Sequence, residues 1–164
     1  KFDGLYTRFD RPFGNELDPC AMWLTQSPDL VFWGKSRPLT YKGKVFFDGH
    51  KFGAGAVPIK TDRGWLEIYH TVSVTCNGFV YRLKAMMLDF EDPSKIIAYT
   101  SDFLLWPEFD YEMQGRVMNV VFTCNALLDD DGTIRVYYGA ADTHIGLATA
   151  KLNDIVEECF KNED

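Results

Sequence analysis

Arg8, Lys51 and His70 are the side chains of this 164-residue chain whose type and placement point to chemistry. Lys51 stands just before the corner Gly53-Ala54-Gly55, and His70 follows directly on the run "LEIY". Arg8 lies in "GLYTRFD", which reads as the counterpart of that run in a preceding unit. Cationic and potentially cationic groups converging from separate strands can hold an oxyanion or a phosphate through charge-assisted hydrogen bonds. Each also has a plainer reading: a solvated lysine, an arginine paired with a carboxylate, a histidine bonded within the core. Asp142 follows Gly139 by three residues in the second copy of the same pattern, so it belongs to the equivalent strand end.

Other groups carry less. The corner at 53–55 lacks the G-x-x-x-x-G-K-[ST] order of a nucleotide loop and the G-x-G-x-x-G that opens a dinucleotide-binding helix, and a strand follows it. Asp129-Asp130-Asp131-Gly132 lacks the ligand alternation and distal Glu of an EF-hand, so it reads as a hairpin turn. "SPDLVFWG", residues 27–34, reads as a turn in which Ser27 and Asp29 fold back on the backbone. Cys20, Cys76, Cys124 and Cys159 are widely spaced and read as reduced thiols, with no metal site expected.

Composition places these residues on sheet. The chain is 46% hydrophobic and 25% charged, ordinary for one globular domain, while its 15% aromatic content sits mostly in short alternating runs that favour strands. The fold class expected is all-β. A formal charge of -7 argues against nucleic acid or an anionic membrane as partner, so an anion must be bound locally. No run approaches the apolar length of a membrane helix, and residues 1–20 lack the order of a signal peptide, so a cytoplasmic protein is expected.

"AVPIKTDRGWLEIYH" and "NALLDDDGTIRVYYG" share one pattern: an alternating strand, an Asp-and-Gly turn, then G-x-[LI]-x-[IV]-Y. Each reads as a β-hairpin. The glycines that open their second strands, Gly64 and Gly132, are 68 positions apart. Further strands follow each hairpin, making four per unit, and "GLYTRFD", "CAMWLTQSPDL" and "VFWGKSRPL" read as the last three strands of an earlier unit. Four-stranded units at a long fixed period are the signature of propeller blades. The expected organisation is a single partial propeller: a partial blade over 1–46, a complete one over 50–108, a partial one over 117–152, and a tail or short helix over 153–164. So short an arc exposes sheet faces and edges, which calls for a missing N-terminal part or completion by another chain.

The segments "RFDRPF", "SPDLVFWG", "KFGAGAVPIKTDRGWLEIYH", "YRLKAMMLDFEDPSKIIAYTSDFLLWPEFDYE", "NVVF" and "DGTIRVYYGAADTHIGLATA" together resemble the β-mannoside phosphorylases of glycoside hydrolase family 130. The likeness runs in order from about Arg8 to Ala150. It implies a five-bladed propeller, of which this chain would cover the last three blades. It also implies inverting phosphorolysis of a β-mannoside to α-mannose 1-phosphate, with inorganic phosphate as co-substrate and no cofactor. The residues matching the family's phosphate positions are Arg8, Lys51 and His70, with Tyr81 in the same pocket, and Asp142 matches an acidic residue that contacts the mannose. The implied partners are a β-mannoside disaccharide or oligosaccharide and phosphate, with homo-oligomerisation left open.

The match has departures. Val57 stands where the family commonly has Pro, and Lys84 where it has Gly. Pro is expected near Met118 and Thr123, and Gly at Asn125. The general acid is expected upstream of this sequence, since neither Asp18 nor Asp92 sits in a matching context. An inverting β-mannosidase and a non-catalytic glycan-binding propeller are the alternative readings.

Overall fold

The computed structural model describes residues 1–12 and 20–161. Three antiparallel sheets follow one another along the chain. The first contains β1 (Tyr6–Asp10), β2 (Trp23–Ser27) and β3 (Gly34–Pro38) in that order. The second is built on β6 (Lys51–Ala54), β7 (Ile59–Lys60), β8 (Trp65–Thr75), β9 (Gly78–Leu88) and β10 (Lys95–Tyr99). The third contains β11 (Val121–Leu128), β12 (Thr133–Ala140) and β13 (His144–Lys151). A short hairpin, β4 (Thr40–Tyr41) and β5 (Lys44–Val45), lies between the first two in sequence and pairs with the second sheet, β4 running parallel to β10. Residues 40–45 thus tie the first blade to the edge of its neighbour.

The repeat is visible in the pairing. Inner strands β6 and β11 run against β8 and β12, and each of those runs against the next strand of its sheet. The two central hairpins have long uninterrupted registers, Trp65↔Leu88 through Thr75↔Gly78 and Thr133↔Lys151 through Ala140↔His144. The turn at Asp129–Gly132 is closed by Gly132 N–H to Asp129 O, with Gly132 at φ +77°, a conformation suited to glycine. At 27–32, Ser27 Oγ accepts from the Leu30 amide at 2.8 Å, while Asp29 Oδ1 accepts from the Val31 and Phe32 amides, both at 2.9 Å. Those backbone donors hold the Asp29 carboxyl below its ordinary range.

Two apolar cores lie on opposite faces of the second sheet. One gathers Leu66, Ile68, Leu83, Ala85, Val121, Ile134 and Val136; the other gathers Met22, Leu24, Leu39, Phe52, Tyr69, Met86 and Leu88. Because strand side chains alternate faces, β8 sends Leu66 and Ile68 to one core and Tyr69 to the other. Residues 66–72 are therefore buried without a break. α2 (Leu152–Phe160) closes the first of these cores with Ile155, Val156 and Cys159, the apolar stripe its helical spacing predicts. A four-residue helix, α1 (Asp110–Met113), lies in the link from β10 to β11. All four cysteines are free thiols.

Candidate functional site

The start of β6, the end of β8 and the start of β9 meet at one end of the second sheet. Lys51 lies opposite Val72, which lies opposite Tyr81; Gly53 lies opposite His70, which lies opposite Leu83. The two-residue alternation puts Lys51, His70 and Tyr81 on one face, toward β11. Phe122 of β11 completes the group: its ring centroid is 4.4 Å from that of His70 and 6.5 Å from that of Tyr81. Lys51 Nζ is 5.4 Å from the Tyr81 ring centroid and 5.0 Å from that of Phe79, within cation–π range. The His70 and Tyr81 rings are 6.2 Å apart. Lys51, His70 and Tyr81 are thus brought together.

Arg8 is engaged with other partners. It pairs with Asp10, Nε to Oδ1 at 2.9 Å, and lies 4.0 Å over the Trp33 ring, on the face of β1 opposite Phe9. The same alternation explains this: Thr7 and Phe9 face one way, Arg8 and Asp10 the other. The cation that approaches His70 is Arg11, just beyond β1. Its Cδ is 3.8 Å from where a Cβ on Gly53 would stand, and that point is 2.8 Å from His70 Cε1. The sequence signal was present in the same "RFDRPF" stretch, three positions further on.

His70 itself is 5% exposed. Burial, then the charges of Arg11 and Lys51, push its imidazole down from 6.5 to about 4, against a weaker upward effect of the Ala54 backbone. At neutral pH it is therefore uncharged, a directed hydrogen-bond donor and acceptor rather than a third cation. An anion entering here meets two fixed positive charges, one neutral imidazole and one phenol. That combination suits a small oxyanion better than a metal ion, which two cations would repel.

Both ends of β6 are braced. Ahead of Lys51, Asp48 accepts from Tyr69 Oη at 2.6 Å and pairs with Lys84 Nζ at 3.1 Å, and its carbonyl accepts from Thr71 Oγ1. Lys84, only 5% exposed, thus fills a buried place in which the family pattern leads one to expect glycine. Behind Ala54, Gly55 is packed so closely that an added Cβ would lie 2.3 Å from the Ile68 carbonyl. Its amide donates to Glu67 Oε1 at 3.0 Å.

Asp142 sits in the β12–β13 turn, exposed to solvent. Backbone bonds tie that turn to the site: Tyr81 N–H donates to Asn119 O and Ala141 N–H to Val120 O, each at 3.0 Å. Asn119, Ala141 and Asp142 all have positive φ, 58°, 46° and 54°, the left-handed region that non-glycine residues occupy at a cost. Gly115 packs over this turn, with no room for a Cβ beside Ala141 O and Thr143 Oγ1. Asp92 is engaged elsewhere, with Arg37 and Ser94, and Asp18 lies outside the described residues.

Sheets stacked in series, with Lys51, His70 and Tyr81 gathered at one end of the second, define a partial β-propeller. A family model described as beta-1,4-mannooligosaccharide phosphorylase matches residues 1–161, and the chain belongs to that family, glycoside hydrolase family 130. It is 40% identical over 159 residues, 96% of its length, to a beta-1,4-mannooligosaccharide phosphorylase of Ruminococcus albus. It is 35% identical over 158 residues to a beta-1,2-mannobiose phosphorylase of Listeria innocua. The solved structure of beta-1,2-mannobiose phosphorylase from Listeria innocua, in complex with beta-1,2-mannobiose, superposes with a TM-score of 0.85 at 34% identity, covering 98% of this chain and 44% of that one. The chain spans about half the length of the curated relatives it matches, 47% and 43% of the two named. Its fold is accordingly an arc of a five-bladed propeller.

Proposed function

We propose that the complete protein cleaves β-mannosides with inorganic phosphate, and that Arg11, Lys51, His70 and Tyr81 hold the phosphate. The observation that carries this reading is the convergence of Arg11 and Lys51 on a buried, uncharged His70. A phosphate oxygen attacks the anomeric carbon, the glycosidic C–O bond breaks on the opposite face, and the leaving oxygen takes a proton from a general acid. The products are α-mannose 1-phosphate and the shortened acceptor. Arg11 and Lys51 supply charge-assisted bonds that aim the attacking oxygen, while His70 donates a proton in hydrogen bonding without adding charge. No residue of the chain takes the role of general acid in this scheme. Asp142 accepts hydrogen bonds from two mannose hydroxyls at the mouth of the pocket.

The alternative of hydrolysis by an inverting β-mannosidase fares less well, because a water nucleophile needs a base rather than two cations beside it. The reaction requires no cofactor besides phosphate and fits a cytoplasmic setting. The deciding experiment incubates the complete protein with β-1,2- and β-1,4-mannobiose, with and without inorganic phosphate. Phosphate-dependent release of mannose 1-phosphate is the expected result. Release of free mannose independent of phosphate would overturn it in favour of hydrolysis, and no turnover with retained sugar binding would favour a binding module.

A further inference from the structure

The pairing of β8 with the inner strand is interrupted at one place. Ala54 lies opposite Tyr69, and the next pair is Ile59 opposite Leu66. Four residues between β6 and β7, 55–58, thus stand against only Glu67 and Ile68 of β8, an irregular break in the ladder. The Ile68 carbonyl takes the Ala56 amide at 3.3 Å, and the Gly55 amide is left without a ladder carbonyl. The side chain of Glu67 fills that role, Oε1 accepting from Gly55 N–H at 3.0 Å.

The geometry points to Glu67 as a positioning residue for the anion pocket: its carboxyl pins the Gly55 amide and so sets the stretch Lys51–Gly53 against His70. This rests on the phosphate reading above. The link is short. Gly53 and His70 are register partners with no room for a side chain between them, so a displacement of the corner moves both the His70 ring and the Lys51 stem.

A second observation decides which substitutions can test this role. Glu67 is fully buried, and its Oε2 has no hydrogen-bond partner among the described residues. An apolar side chain here removes the unsatisfied Oε2 but leaves the Gly55 N–H without an acceptor, which opposes folding, whereas glutamine keeps an acceptor in place. Burial also raises its pKa from 4.5 to about 8, so it is a neutral acceptor at pH 7, a part that glutamine can play.

The test compares Glu67→Leu and Glu67→Gln in the complete protein, measuring inorganic phosphate affinity by calorimetry, steady-state KM and kcat, and thermal stability. Glu67→Leu is expected to weaken phosphate binding about 5- to 10-fold in a folded protein of lowered Tm, and Glu67→Gln to stay within about 2-fold of the parent in phosphate affinity, as follows from losing or keeping one hydrogen bond. Equal phosphate affinity in parent and Glu67→Leu overturns the positioning role alone. Absence of phosphate binding in the parent overturns both readings. If Glu67→Leu fails to fold, Glu67→Met repeats the comparison, and unfolding of both makes Glu67 a stability residue and ends the inference.

Discussion

Gly53 and His70 face each other across the β6–β8 ladder with no space for a methyl group between them: a Cβ on Gly53 would lie 2.8 Å from His70 Cε1 and 3.1 Å from Nε2. The imidazole thereby lies against bare backbone, with the Arg11 stem near the same point and the Phe122 ring centroid 4.4 Å from its own. Gly53→Ala should push the ring out of this slot. We expect a loss of about 1–3 kcal/mol in urea melts, the usual cost of overpacking a tight site, together with a raised KM for phosphate. Unchanged phosphate kinetics in a folded variant would show that His70 does not need this placement.

The arginine assignment is open to direct comparison. Arg11→Met and Lys51→Met should each raise the KM for phosphate about 10- to 100-fold, the loss of one charge-assisted bond of roughly 1.5–3 kcal/mol. Arg8→Met should change it less than about 2-fold, since Arg8 is engaged with Asp10 and Trp33. Initial rates as a function of phosphate concentration distinguish the three. A strong effect at Arg8 with none at Arg11 would reverse the assignment.

Two buried groups pull the pH dependence of stability in opposite directions. The folded pKa of His70, about 4, lies below its ordinary 6.5, so its contribution is full above 6.5 and is lost as pH falls toward 4. The folded pKa of Glu67, about 8, lies above its ordinary 4.5, so its contribution is full below 4.5 and is lost as pH rises toward 8. Between pH 4.5 and 6.5 the two slopes offset. Between 6.5 and 8 only Glu67 acts, and stability should decline by about 2 kcal/mol, since each unit of differential protonation is worth about 1.4 kcal/mol. Urea melts at pH 6.5 and 8.5 should show this decline in the parent and not in Glu67→Gln. An equal decline in both would place its origin elsewhere.

Asp142→Asn should separate sugar from phosphate. The turn is fixed by its backbone bonds and by the packing of Gly115, so the fold is expected to persist. Replacing a charged acceptor by an amide with one acceptor oxygen should weaken mannoside binding about tenfold while leaving phosphate affinity unchanged. Titration with mannose and with phosphate in parallel checks this, and a shift in phosphate affinity alone would move Asp142 out of the sugar subsite.

What the amino-acid sequence determined by itself is everything that depends on local periodicity. The two G-x-[LI]-x-[IV]-Y hairpins, β7–β8 and β11–β12, the Ser27–Asp29 turn, the Asp129–Gly132 turn and the apolar stripe of α2 follow from two- or 3.6-residue spacing and from turn chemistry, and the structure contains each of them. The nearness of Lys51 to His70 was likewise within reach, because the two lie on neighbouring strands of one short stretch of chain. What only the tertiary structure decided depends on which way a side chain faces once sheets stack. Arg8 and Arg11 are equally cationic in sequence, and only the folded chain sets Arg8 over Trp33 and the Arg11 stem beside Gly53 and His70. Phe122 and Glu67 carry no local signal at all. Phe122 reaches the site from the next sheet, and Glu67 meets the Gly55 amide only because the strand pairing is interrupted between Ala54 and Ile59, which no local spacing announces. The charge of His70 was decided the same way, since a histidine's protonation state follows from the burial and the neighbouring cations that only the folded arrangement supplies.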